Sequence, residues 1–200
     1  STYNEMVYGA VKNDGEWGIM GFIHANDKIY YRDFYGRSDI QFIDEIFTFG
    51  DQLFLLSDLG LISGNPHLKH PIYWTKAFKN IDENILTLDV ANNVLALVTD
   101  KAIYSVALGE YPVALIREDD NIKSVKSISV ISNQQLRAIS DSIIFDVRTD
   151  RLKAVFTDPN VKFTGIISDQ NGTWVGNQTG FGHIDGQEFE SPFNHIAENG

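Results

Sequence analysis

Short apolar runs broken by turn signals set the pattern of the chain. Leu53-Phe54-Leu55-Leu56, Ile143-Ile144-Phe145-Asp146-Val147 and Thr173-Trp174-Val175 are too short for helices and rich in β-branched and aromatic residues, so they predict strands. Between such runs stand Asp14-Gly15, Asn26-Asp27, Gly50-Asp51, Asn92-Asn93, Asn171-Gly172 and Asp185-Gly186. These are residues that accept the positive φ of tight hairpin turns. From Ser168 to Asp185 three turns surround two short strands, which leaves no room for a helix. The pattern is that of an antiparallel meander.

The meander repeats. Trp174 follows the Asn171-Gly172 turn and is itself followed, after the Gln178-Thr179-Gly180 turn, by Phe181. The same frame places Phe54 before Leu61, Ala96 before Ile103, and Arg137 before Ile144, while Trp17 follows Asp14-Gly15. The anchors at 17, 54, 96, 137 and 174 are spaced by 37, 42, 41 and 37 residues. A period near 40 with several short strands per unit is the signature of β-propeller blades. The expected fold is therefore all-β, a propeller of about five visible four-stranded blades. The units run roughly over 3–35, 40–80, 81–117, 121–157 and 161–193, within one domain spanning 1–200. They read either as a complete small propeller or as part of a larger one.

Composition narrows the function classes. Hydrophobic residues at 43% and aromatics at 12% exclude a disordered chain. A net charge of −11 without basic clusters argues against a nucleic-acid partner, which needs a basic stripe to neutralise phosphates. The chain has no cysteine, so neither disulfides nor thiol chemistry are available to it. No apolar run reaches the roughly 18 residues of a membrane span, so no insertion by this segment is expected. The chain opens on Ser1 without a basic-then-apolar leader, which reads as a processed or trimmed piece of something longer.

Candidate chemistry is sparse. The irregular stretch from Ser63 to Pro71 carries His67 and His70, and Tyr73 and Trp74 follow it. Loops that interrupt a regular repeat are where binding residues gather, so these four are the candidate binding residues. His67 and His70 would share a metal if helical, but Pro66 and Pro71 oppose a helix and a third ligand is missing from the stretch. No metal is expected. Asp169 with Asn171, and Asp14 with Asn13, read as turn caps rather than calcium ligands, since the further alternating oxygens are missing. Trp17 and Trp174, at equivalent repeat positions, read as packing between adjacent blades; Trp74 reads as the most exposed of the three, with burial favoured even there. Trp17, Phe54, Asn171, Gly172, Trp174, Gly180 and Phe181 define the repeat. No nucleophile elbow, zinc-protease helix motif or phosphate loop occurs, and no cofactor is expected.

The run from Asp169 to Phe181, DQNGTWVGNQTGF, resembles the two-component regulator propeller repeat: an acidic residue, an Asn-Gly turn, Trp-Val-Gly, a second turn, then Gly and an apolar residue. Asn177 stands where that pattern has Thr, and Phe181 where it has Leu. Ser57-Asp58-Leu59-Gly60-Leu61 echoes its second half. The resemblance implies an extracytoplasmic module, periplasmic or at the cell surface, of the kind found in Bacteroidetes sensor regulators and in the propeller component of type IX secretion. The expected function is non-catalytic binding or scaffolding, sensory or secretion-associated. Rim loops would recognise a glycan, a peptide or a partner protein, with adjoining domains of a longer chain as further partners. The alternative is a propeller-fold enzyme of lyase or glycosidase type with its site in the central channel.

Overall fold

The computed structural model describes residues 2–3, 6–26, 28–65, 74–132, 134–169, 171–185 and 188–190. Among them, twenty strands form five four-stranded antiparallel sheets, which fall into two compact units, Ser1–Asp82 and Glu83–Gly200. Outside the strands there is one turn of 3₁₀ helix, Ile122–Ser124, and none of the described residues form a helix long and apolar enough to cross a membrane.

The first unit holds two sheets. Sheet 1 contains β1 (Thr2–Tyr3), β2 (Met6–Asn13), β3 (Glu16–Ala25) and β4 (Lys28–Gly36); sheet 2 contains β5 (Ile43–Phe49), β6 (Gln52–Ser57), β7 (Gly60–Gly64) and β8 (Thr75–Lys76). The second unit holds three. Sheet 3 is β9 (Ile85–Ala91), β10 (Val94–Thr99), β11 (Ala102–Ala107) and β12 (Val113–Arg117); sheet 4 is β13 (Ser127–Ser132), β14 (Gln135–Ile139), β15 (Ile143–Val147) and β16 (Leu152–Thr157). Sheet 5 is β17 (Phe163–Asp169), β18 (Gly172–Asn177), β19 (Gly180–Asp185) and β20 (Glu188–Glu190).

Local chemistry explains the hairpins. Asp14 and Gly15 have φ of 48° and 88°, and Asn92 and Asn93 have 52° and 59°. Two consecutive positive φ values are what a two-residue hairpin turn needs to match the twist of its strands. At the Asn171-Gly172 turn the Asp169 side chain closes the loop instead: its Oδ1 accepts the Asn171 N–H at 2.7 Å and the Gly172 N–H at 3.0 Å.

Phe54, Ala96, Arg137 and Trp174 each occupy the third residue of their sheet's second strand, so the repeat frame corresponds to one position in the fold. Sheet 1 differs. Trp17 follows its turn as expected, but lies in the third strand of the sheet order, because the two-residue β1 pairs with β2 on that strand's other side. The outer strand of sheet 2, Thr75–Lys76, directly follows Trp74.

Because side chains alternate across a strand, each sheet has an anchor face, carrying the anchor residue, and an opposite face. Sheets stack by laying an anchor face on the next sheet's opposite face. In the first unit Tyr8 and Ile19, with half-buried Trp17, pack against Leu53, Leu55 and Ile62. In the second, Val94, Ala96, Val98 and Ile103 of sheet 3 meet Ile128, Val130, Leu136, Ala138 and Phe145 of sheet 4. Ile139 and Ile144 of sheet 4 meet Ile166, Val175 and Ile184 of sheet 5. Burial of these side chains is the main favourable term holding the sheets together.

Candidate functional site

The register pairs each anchor with one residue on either side, giving a row across the anchor face. In sheet 3 the row is Asp89–Ala96–Ser105, in sheet 4 Ser129–Arg137–Asp146, and in sheet 5 Ile167–Trp174–His183. The first two rows are spent on the next sheet. Asp89 Oδ2 accepts the Val130 N–H of β13 at 2.7 Å, and Ser129 Oγ, one sheet on, accepts the Ser168 N–H of β17 at 2.8 Å. Asn92 adds a bond from Nδ2 to the Ile131 carbonyl at 2.9 Å.

Arg137 extends this link outward. Its Nε donates to Asp146 Oδ1 at 3.2 Å and its Nη1 donates to Thr173 Oγ1 of sheet 5. Thr173 is fully buried, and its hydroxyl also pairs with Ser168 Oγ at 2.9 Å. Asp146 takes a second ion pair from Arg148 at 2.8 Å. An arginine fits this anchor position because sheet 5 supplies an acceptor for it, and a buried polar group without a partner is costly.

The sheet 5 row is of the other kind. Ile167, equivalent to Asp89 and Ser129, is 73% exposed; Trp174 is 44% exposed and Phe181, on the same face, 49%. The Trp174 ring lies 5.9 Å from Phe181 and 4.8 Å from His183, both tilted, within the range of favourable aromatic contacts. Gly165 and Gly176 leave the floor between these side chains low; a Cβ on Gly165 would meet no atom within 4 Å. The result is an open concavity of about 550 Å³ lined by Ser127, Gly165, Ile167, Trp174, Gly176 and Phe181. His183 lies against Gly172, where an added Cβ would collide with its imidazole. Hydrogen bonds from the Asn171 N–H, against a smaller opposing effect of desolvation, hold the neighbouring Asp169 carboxyl below its usual range; the Gly172 N–H and His183 reinforce them.

A clustered apolar surface of this sort suits contact with another apolar body, and exposed patches with a polar rim mark interaction sites. Among the described residues no group of three or more histidine, aspartate or glutamate side chains is placed to hold a metal.

Of the binding residues expected from sequence, His67, His70 and Tyr73 lie outside the described residues. Trp74 is half-buried, packed on the core of the first unit, and its carbonyl accepts a bond from Arg37 Nη1 at 3.4 Å; it is not the more exposed ring. The exposed tryptophan is Trp174, since the packing that covers Trp17 on sheet 2 has no counterpart on the sheet 5 anchor face. Ile167 and His183 escaped the sequence reading. Their signal was the register: each stands opposite the anchor across a hairpin whose turn was recognisable.

No protein-family model matches the chain, and no curated protein sequence matches it. Solved structures of β-propeller proteins do. YCF48 bound to D1 peptide aligns with a TM-score of 0.57 at 12% identity, over 96% of this chain and 72% of that one. A catalytically inactive virginiamycin B lyase from Staphylococcus aureus with quinupristin aligns with a TM-score of 0.58 at 16% identity, over 95% and 71%. The extracellular domain of the putative one component system BT4673 from B. thetaiotaomicron gives 0.58 at 14% identity, over 95% of this chain and 28% of that one. At such identities the likeness concerns the fold alone. The chain has the all-β architecture of a β-propeller, in five four-stranded antiparallel sheets.

Proposed function

We propose that this chain is a non-catalytic protein-binding module of propeller type, and that the anchor face of sheet 5 is a contact surface. The observation that carries the reading is the uncovered Ile167–Trp174 row, set against equivalent rows in sheets 3 and 4 that are committed to a neighbouring sheet. Tryptophan in such a position is the residue type that most often anchors a protein partner. The peptide carried by YCF48 and the extracellular setting of the BT4673 domain support the same direction. Together with the repeat-like run from Asp169 to Phe181, they favour an extracytoplasmic sensory or secretion-associated role, within the two-component regulator propeller type. The inner-strand groups Asp89, Ser129 and Ser168 are engaged in bonds between sheets, so they lend no support to chemistry in a central channel.

The test is binding of the wild-type chain and a Trp174→Glu variant to an array of extended apolar and control acidic peptides. The reading expects capture of apolar peptides that falls at least about tenfold in the variant, the usual scale for a central aromatic contact. Equal capture by both chains would remove the sheet 5 face from the binding surface.

A further inference from the structure

Sheet 4 sits in the middle of the second unit, with sheet 3 packed on one face and sheet 5 on the other. At one end it carries more polar groups than that packing uses. Strand alternation puts Gln135 and Arg137 of β14 on the anchor face, with Asp146 of β15 and Arg148 just beyond it. Leu136 and Val147 turn the other way, into the core shared with sheet 3. Together with Gln134, the four polar residues line a recess of about 110 Å³.

Asp146 organises the recess. Its Oδ1 accepts from Arg137 Nε at 3.2 Å and its Oδ2 from Arg148 Nη2 at 2.8 Å, so both oxygens are engaged. Thr173 of sheet 5 steadies Arg137 further. The backbone N–H of Arg148 donates to the Arg151 carbonyl at 3.0 Å, which closes the turn after β15. The guanidiniums keep donors in reserve: among the described residues, Arg137 Nη2 and Arg148 Nε and Nη1 donate to no acceptor. Two guanidiniums against one carboxylate leave the recess at +1, in a chain whose net charge is −11.

We propose that this recess is a carboxylate-binding site, taking the terminal or side-chain carboxylate of a peptide. A guanidinium presents paired N–H donors that match the two oxygens of a carboxylate, and one already held in place loses little freedom on binding. The glutamine amides add uncharged donors. At roughly 30 Å³ for each water, the recess has the room of about three or four, enough for a carboxylate and the carbon that bears it. Its single excess positive charge suits one negative charge, whereas a dianionic phosphate would be repelled by Asp146. The site is independent of the sheet 5 contact surface, because Thr173, which Arg137 meets, lies on the face of sheet 5 opposite to Trp174.

An NMR titration that follows the arginine Nε–H groups and the backbone amides of Gln135 and Val147 tests this. The probes are three short N-acetylated peptides of otherwise uncharged sequence: one with a free C-terminal carboxylate, one amidated, and one amidated with a single internal glutamate. Inorganic phosphate at matched ionic strength is the fourth probe. The carboxylate peptides are expected to shift Arg137 and Arg148, and the uncharged amidated peptide to leave them in place. Arg148→Gln, on an exposed side chain, is expected to weaken carboxylate binding about tenfold, the scale of a hydrogen bond to a charged group. Arg151→Gln removes the same charge from the adjoining turn without touching the recess and is expected to change binding less than about twofold. A stronger response to the terminal carboxylate identifies a chain end as the ligand, and one to the glutamate an acidic segment; both uphold the site. No shift with either carboxylate peptide overturns it. So does equal weakening by Arg148→Gln and Arg151→Gln, which would mean attraction by net charge alone, and so does phosphate bound more tightly than the carboxylates.

Discussion

Arg137 and Trp174 occupy the same position in successive sheets, yet their surroundings differ at every point. Arg137 lies under sheet 5, bonded to Asp146 within its own sheet and to Thr173 in the next. Trp174 has aromatic neighbours within its own sheet and open space beyond them. The difference shows what an anchor position does in this fold. Where another sheet covers it, an apolar residue such as Ala96 packs directly, while a polar one must have its groups answered, as Asp146 and Thr173 answer Arg137. Where it is uncovered, a large ring is tolerated and becomes available for contact.

The sharpest way to break the comparison is to place the uncovered residue in a covered position. Ala96→Trp is expected to destabilise the fold by about 3 kcal/mol or more, since Ala96 is fully buried between sheets 3 and 4 and overpacking there forces the sheets apart. A urea unfolding midpoint unchanged from wild type would show that the interface has room that the fold does not reveal. A smaller cost follows from removing the group that answers Arg137. Thr173→Val keeps the shape but strands Arg137 Nη1 and Ser168 Oγ, for an expected loss of about 1–3 kcal/mol in the same assay. Trp174→Ala is expected to cost less than about 1 kcal/mol, because the ring covers little that is not already exposed. The order of these three, rather than any single value, separates the covered rows from the uncovered one.

Much of the fold was legible in the sequence because it depends on local chemistry. Asp14-Gly15 and Asn92-Asn93 announced their hairpins, and the frame they set put Phe54, Ala96, Arg137 and Trp174 at one structural position. The placement of Trp17 in the third strand was not legible, since β1 is two residues long and carries no pattern. The site was legible only in part. Trp174 and Phe181 were singled out as repeat-defining residues, but Trp17 and Trp174 follow equivalent turns, and nothing in either local sequence says which ring is covered. Cover is set by sheets tens of residues away. Ile167 and His183 become part of the surface only through cross-strand register, and Trp74, where burial was favoured, packs on a core assembled from both sheets of the first unit, leaving Trp174 the more exposed ring.

The smallest expected effect concerns pH and the covered side of the comparison. Asp119 feels burial, which pushes its carboxyl up, but the Leu152 and Asn121 N–H groups more than offset this and hold it below the usual range. One of those bonds, Asp119 Oδ2 to Leu152 at 3.0 Å, ties the start of β16 to the turn before sheet 4. A depressed folded-state value means the contribution is fully present above the ordinary aspartate range, near 4, and is lost as pH falls through the lower folded value. Asp119→Asn is therefore expected to lose that contribution at neutral pH and to flatten the acid limb of the stability curve, converging on wild type as pH falls below the folded value. An acid limb identical to wild type would show that Asp119 plays no part in it.

Whether the sheet 5 anchor face stands open in the isolated chain and closes on contact is read most directly from Trp174 itself. The difference in tryptophan emission between wild type and Trp174→Phe isolates that ring from Trp17 and Trp74. In dilute solution the account predicts a red-shifted, acrylamide-quenchable difference spectrum that moves to the blue and resists quenching when an apolar peptide that the chain captures is added. A difference spectrum that is already blue and protected at the lowest concentration would mean that the face is covered within the single chain, and would contradict the account.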